Sequence, residues 1–402
     1  MSARRLTALL WAINLSAISA SMFVYLYLAQ HAYHALGSLL VSELVLVAPL
    51  VMPVLLAFQL NQVAARVGPR KLLFAANAAG ACCCAVLFLA TDLGTVSVLL
   101  GAAVVGALDA LQRVARIVAI KRYFSAQDVR HTVPLTLTAQ FVAGALAGAM
   151  LAFFPGRLTL AGAAIATTVL MGLAATCALR LPRPVPDAAD AERTAASLAH
   201  AVALLRRTPA LRDSLLGFVL LGACFQGFYN LSRVALPAHH LGLPGTFHLG
   251  VLQIIASLAA VSGALAYSAL CRHQRAPGLA VVTPVCAIAM LAACELPGVA
   301  ASFASYFVFF FCFELAFFRL QGDIVLATPP ADMPLVATLQ YALVYAGLML
   351  TGGVGALLIG PIGLSGTALC LALGYFLGQA LLRWLARRVA TPASVRPTLP
   401  EP

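Results

Sequence analysis

Charge is what this sequence has least of. Asp, Glu, Lys and Arg together make up 9% of its 402 residues, against about 25% in an average soluble domain. Apolar residues make up 62% and the mean hydropathy is +0.97. A soluble globule cannot hide that much apolar surface, and a disordered chain needs the opposite composition. A soluble enzyme, a nucleic-acid binder and a disordered chain are excluded, and an integral membrane protein remains. No Walker or dinucleotide fingerprint is present, so ATP is not the energy source. Short alternating segments are missing too, which argues against a β-barrel. None of the ten cysteines stands clear of the apolar segments. Cys82, Cys83 and Cys84 point in different directions on one helix, so they suit packing rather than a metal.

The gaps between charges show what is there instead. No charged residue lies between Arg5 and Glu43, between Arg233 and Arg272, or between Asp332 and Arg383. A spanning helix needs about 20 apolar residues, so the longest gaps hold two spans each. They divide at turn signals: His31 to Gly37, His239 to Gly245 and Gly360 to Gly366. The result is twelve expected spans, near 7–30, 37–61, 71–90, 95–119, 133–154, 159–180, 213–237, 247–271, 278–296, 298–321, 334–358 and 365–387. Helices satisfy their own backbone in lipid, so the fold class is an all-α membrane protein.

With twelve spans the basic residues fall on one side. Arg4, Arg5, Arg66, Arg70, Lys71, Lys121, Arg122, Arg206, Arg207, Arg272, Arg387 and Arg388 share it, whereas the opposite loops hold only Arg157. The net charge of +12 is thus a topological signal and not a nucleic-acid patch. Cytoplasmic loops carry the Lys/Arg excess. The expectation is a multi-pass protein of the cell inner membrane with both termini cytoplasmic. The basic start followed by an apolar run is read as a retained first helix, because the run is too long for a signal peptide core.

One connection differs from the rest. Residues 181–193 carry three prolines and three acidic residues, and residues 195–211 read as an amphipathic surface helix. This linker divides the chain into an N-terminal six-helix half (1–180), a linker (181–211), a C-terminal six-helix half (212–390) and a tail (391–402). Thr138, Gln140 and Phe141 recur as Thr338, Gln340 and Tyr341, consistent with duplication. Two six-helix halves form a transporter architecture with its substrate site at their interface.

Local motifs then match a family. The loop Asn61 to Lys71 resembles the G-x-x-x-D-R-x-G-R-[RK] signature of the major facilitator superfamily. Arg66, Gly68, Arg70 and Lys71 align, while Ala65 replaces the Asp that latches the loop in that family. The stretches Gln112–Ile120, Ala143–Gly148 and Ala203–Arg212 resemble the efflux branch that includes the enterobactin and macrolide exporters. The resemblance implies the major facilitator fold and secondary transport.

Ionisable residues inside spans cost roughly 2.5–3.5 kcal/mol each, and by default they mark function. The proton-coupling candidates are Glu43, Asp109 and Glu314. Asp109 and Arg113 are one helical turn apart and can pair. Glu314 has Arg319 five residues on, a poorer match, with Arg113 and Arg116 across the bundle as alternatives. Gating and charge partners are Arg66, Arg70, Arg113, Arg116 and Arg319. Substrate-binding candidates are Asn14, Gln140, Gln226, Tyr229, Asn230, Arg233 and Gln340. Among these the cluster Tyr229, Asn230 and Arg233 suits an anionic or carboxylate-bearing ligand. The expected function is proton-coupled export of a small molecule such as a siderophore, an antibiotic or another amphipathic metabolite. Import on the same fold and a non-transporting receptor are the alternatives. No metal and no cofactor are expected, the proton gradient supplies the energy, and the partners are the bilayer and a small substrate, with the protein a monomer.

Overall fold

The computed structural model describes residues 3–35, 37, 39–57, 59, 63, 67–89, 94–124, 126–153, 159–182, 198–243, 246–272, 278–328 and 332–390. Every regular element among them is helical. The N-terminal half contains α1 (Ala3–Ala35), α2 (Leu39–Leu55), α3 (Pro69–Leu89), α4 (Thr95–Tyr123), α5 (Ala126–Phe153) and α6 (Leu160–Leu179). A short helix, α7 (Leu198–Arg207), leads to α8 (Pro209–Leu221) and α9 (Gly227–Val234). The C-terminal half continues with α10 (Thr246–Arg272), α11 (Leu279–Glu295), α12 (Val299–Ala327) and α13 (Met333–Ala390).

Among the described residues, eight helices are long and apolar enough to cross a membrane, and three shorter apolar helices, Leu40–Leu55, Thr138–Phe153 and Leu279–Glu295, accompany them. The long helix α13 is two crossings joined at a kink. Gly363 there has φ +71° and ψ 177°, a conformation that costs glycine little and other residues much, and Pro361 removes a nearby donor. Twelve crossings result, as the charge gaps imply.

The seventh crossing is built differently from the others. It begins at Pro209, not at residue 213. Proline suits the first position of a helix because its missing N–H would go unsatisfied there in any case. Thr208 leaves the helical region at φ −121°, so the expected amphipathic helix over 195–211 ends at Arg207 instead. Two wide π turns, Gly222–Gln226 and Ala235–His240, flank α9. Pro237 lies in the second, where it cannot donate to the ladder. Such turns shift the helix register and often sit at functional sites.

Apolar side chains gather into one C-terminal cluster and two N-terminal ones. The first runs from Leu211 to Tyr375 and is filled by rings such as Phe225, Phe228, Tyr306 and Phe309. The others surround Phe23 with Phe88 and Leu10 with Leu73. Val86, Leu100, Ile165, Leu265, Ile288 and Leu377 point outward, apolar and exposed, a surface suited to lipid. Helices in lipid hold together by close packing rather than by water exclusion, which explains the abundance of Ala and Gly at the seams.

The two halves meet closely at the end away from the termini. A Cβ on Gly250 would overlap the Gly148 carbonyl and the Ala152 backbone, so α5 and α10 cross at backbone distance. Val47 of α2 fills the space that a Cβ on Gly352 would need. Val234 and Leu249 join the N-terminal apolar cluster there. Thus the far end of the bundle is sealed.

Candidate functional site

Two polar clusters lie inside this apolar frame. The first stands on α4. Asp109, Gln112, Arg113 and Arg116 follow the spacing of one helical stripe. Arg113 Nε donates to Asp109 Oδ2 at 2.8 Å. The Arg113 side chain is 27% exposed, whereas Asp109, Gln112 and Arg116 are buried. From α1, Asn14, Ser21 and Tyr25 form a second stripe, also buried. Tyr345 of α13, in the other half, lies within electrostatic reach of Asp109, Arg113 and Arg116, and Tyr341 reaches both arginines. Tyr25 senses the same Asp109, Arg113 and Tyr345. The cluster therefore lies between the halves.

Its atoms are not satisfied internally. Asn14 Nδ2, Ser21 Oγ, Tyr25 Oη, Asp109 Oδ1, Gln112 Nε2 and Arg116 Nη1 are buried without hydrogen-bond partners. Buried polar atoms are normally paired, and leaving one unpaired costs about 1–3 kcal/mol. The concentration of such atoms on these two stripes makes them the candidate binding site.

The second cluster lies in the C-terminal half. Arg233 Nη2 donates to Asn230 Oδ1, and the guanidinium sits 4.7 Å from the Tyr229 ring centroid, a cation–π contact. Tyr229 Oη donates to Gln253 Oε1 at 3.0 Å, and Gln253 Nε2 donates to Ser257 Oγ at 3.4 Å. The Tyr229 ring packs on Phe310 at 4.6 Å. Ser232 and Tyr306 share a hydrogen bond of 3.0 Å. Gln253 and Ser257 lie against Gly144 of α5, so this chain of contacts runs into the sealed end. Arg233 Nε and Nη1 have no partner.

The expected residues separate accordingly. Asp109, Arg113, Arg116 and Asn14 come together between the halves, while Tyr229, Asn230 and Arg233 come together within one half. Gln226 is half-buried in the first π turn. Gln340 donates to Gln321 of α12, a bond between two helices of one half, and Gln140 is half-buried on α5. Glu314 pairs with none of its three expected partners, Arg319, Arg113 and Arg116, among the described residues. Its Cβ packs against Gly263 of α10, and its Oε2 is buried without a partner. Arg319 pairs instead with Asp323 at 3.3 Å, because four residues bring side chains to one face and five do not. Arg70 is half-buried at the start of α3. Glu43 lies on α2, but its side chain, like Arg66 as a whole, falls outside the described residues.

Sequence reasoning missed Tyr345, Tyr341, Gln253 and Tyr306. The stripe of Gln112 with Asp109 was readable from spacing. Its partners on other helices had no local signal.

A twelve-crossing helical bundle whose unsatisfied polar groups face each other between two halves is a membrane transporter, not an enzyme. The chain belongs to the Major Facilitator Superfamily, whose profile matches residues 9–322. No characterised protein matches the sequence as a close relative. Among solved structures, a bacterial homologue of the human lysosomal transporter Spinster, inward-facing and occupied, is 13% identical with a TM-score of 0.70, covering 96% of each chain. A POT family transporter in complex with a thioalcohol-conjugated peptide is 12% identical with a TM-score of 0.73, covering 96% of this chain and 97% of that one. The nucleoside transporter NupG is 14% identical with a TM-score of 0.70, covering 95% and 99%. Identities this low establish the fold and leave the substrate to the site.

Proposed function

We propose that this protein exports a small amphipathic molecule, such as a siderophore or an antibiotic, from the cytoplasm in exchange for protons. The observation that carries this reading is the α4 stripe, whose buried unpaired atoms face Tyr345 of the other half. In alternating access, a site between two halves is exposed to one side and then the other. The basic loops put the termini in the cytoplasm. On that orientation the sealed end is the outer one, and the conformation is one that loads substrate from inside.

Proton coupling is assigned to Glu314 and Asp109, with Glu43 as the further candidate. Glu314 has the simpler setting. It is 5% exposed and packs against Gly263, and it forms no ion pair among the described residues. A buried carboxyl with no cation beside it can change charge only by gaining or losing a proton. Asp109 is tied to Arg113, so protonating it would free a guanidinium for the substrate or for the opposite half. The stretch Ala143–Gly148, at the α5–α10 crossing, resembles the efflux branch, and that resemblance favours export over import.

The test is reconstitution of the purified protein in liposomes under an imposed pH gradient, with an internal pH dye and a panel of siderophores, antibiotics and small carboxylates. Substrate-dependent proton movement that is lost in Glu314→Gln supports coupling. Substrate flux without proton movement would remove the coupling and keep the transporter. Flux driven only inward would replace export by import.

A further inference from the structure

The α4 stripe carries enough unpaired chemistry to define what it binds. We propose that the substrate is an organic monoanion with a carboxylate at one end, a neutral hydrogen-bond donor elsewhere, and a partly apolar body. Its carboxylate rests on Arg116. This inference depends on the reading above that substrate is handled between the halves.

Charge comes first. The stripe holds two guanidinium groups and one carboxylate. Asp109 neutralises Arg113 at 2.8 Å, and Arg116 is left over. Arg116 is 6% exposed, its Nη1 has no partner, and it forms no ion pair among the described residues. The charged and titratable groups that reach it are Arg113 and Asp109 on its own helix and Tyr341 and Tyr345 from α13. None of these adds a second negative charge. A buried guanidinium without a counter-ion is costly, and one negative charge on the ligand balances it. A phosphate monoester carries about −1.5 to −2 at neutral pH and overshoots; a carboxylate does not.

Hydrogen bonding comes second. Gln112 Nε2, one helical turn before Arg116, and Asn14 Nδ2 on α1 are further unpaired buried donors, and donors of this kind address an anion. Asp109 Oδ1 is an unpaired acceptor, which addresses a hydroxyl or an amide N–H. Asp109 and Arg116 start about 10 Å apart along the axis, at 1.5 Å rise per residue. The long Arg116 side chain, leaning toward the helix N-terminus as helical side chains do, covers much of that distance, so the ligand's donor is a group distinct from its carboxylate and within a few bonds of it. The rings of Tyr25, Tyr341 and Tyr345 flank the stripe and suit an apolar body.

Arg233 is the competing seat. It is equally buried, but its guanidinium lies on the Tyr229 ring and on Asn230 within one half.

The experiment measures thermal unfolding of the purified full chain with four probes of one body: mandelate, methyl mandelate, 2-hydroxy-2-phenylethyl phosphate and phenylethanolamine. Millimolar mandelate should raise Tm by several degrees, and the other three should not. Arg116→Gln should weaken mandelate binding by at least about thirtyfold. Arg116→Lys should recover part of it, and Arg233→Gln should leave it within about threefold. Equal stabilisation by the ester or the amine, no stabilisation by mandelate, or loss of binding only in Arg233→Gln would overturn the inference. Binding here is read without transport. Loss of proton-driven flux with mandelate binding intact would count against export and leave the ligand class standing.

Discussion

Arg116 and Arg233 are each 6% exposed, and neither has a carboxylate partner among the described residues, yet they occupy opposite situations. Arg233 rests on an aromatic face and hydrogen-bonds to Asn230, and both neighbours come from its own helix. Arg116 stands beside another guanidinium, with further unpaired donors on its own helix and on α1 and the other half of the molecule opposite. Arg233 keeps two unpaired nitrogens, Nε and Nη1, but its ring and amide contacts lie within one half. Arg116 has an unpaired Nη1 and lies within electrostatic reach of Tyr341 and Tyr345 from the other half. Burial alone therefore does not identify a binding group; the state of its neighbours does.

Breaking the α4 pair should have the largest effect. Asp109→Asn would leave Arg113 beside Arg116 with no counter-charge. Removing one partner of a fully buried pair costs about 3–5 kcal/mol, and the 27% exposure of Arg113 lowers that figure here. The variant should lose its proton-driven flux and part of its thermal stability, and the exchange Asp109→Arg with Arg113→Asp should recover part of the stability. If the single variant keeps wild-type Tm, the pair does not hold the stripe together.

A smaller effect is expected at the sealed end. Gly250→Val places carbon atoms against the Gly148 carbonyl and Ala152, and overpacking of this kind costs about 1–3 kcal/mol. The far ends of α5 and α10 should separate. Spin labels on those ends would report a longer distance, and an unchanged distance would show that the crossing is not the seal. Comparable or milder is Ser232→Ala, which removes the hydroxyl's bonds to Tyr306 and to the Tyr229 carbonyl and leaves the buried Tyr306 hydroxyl unpaired, a cost of about 1–3 kcal/mol. Tm should fall while probe binding at α4 stays constant. A change in binding there would link the two clusters.

The layout of the molecule was legible in its charge gaps, because lipid forbids charge and the gaps record where lipid is. The breaks near Gly37 and Gly363 were readable for the same reason, since only turn residues interrupt such long runs. Pro209 was readable in principle as a helix start, but the amphipathic pattern before it was carried straight through. Partners across helices were not legible. Nothing near Glu314 in sequence points to Gly263, and nothing near Arg116 points to Tyr341. These pairings follow from how helices cross, which depends on small residues scattered over several segments. Arg233 drew attention because it is a charge in an apolar run. The structure shows such a charge held by a ring and an amide within its own helix.

The α4 stripe, buried in the conformation described, should open to solute from the face that carries the termini and stay shut off from the opposite face. The direct measurement is the labelling of Gln112→Cys by a membrane-impermeant maleimide, in a chain whose native cysteines are replaced, in vesicles of either orientation. The account predicts labelling from the face that carries the termini, slowed by mandelate. Labelling only from the opposite face, or none from either, would contradict it.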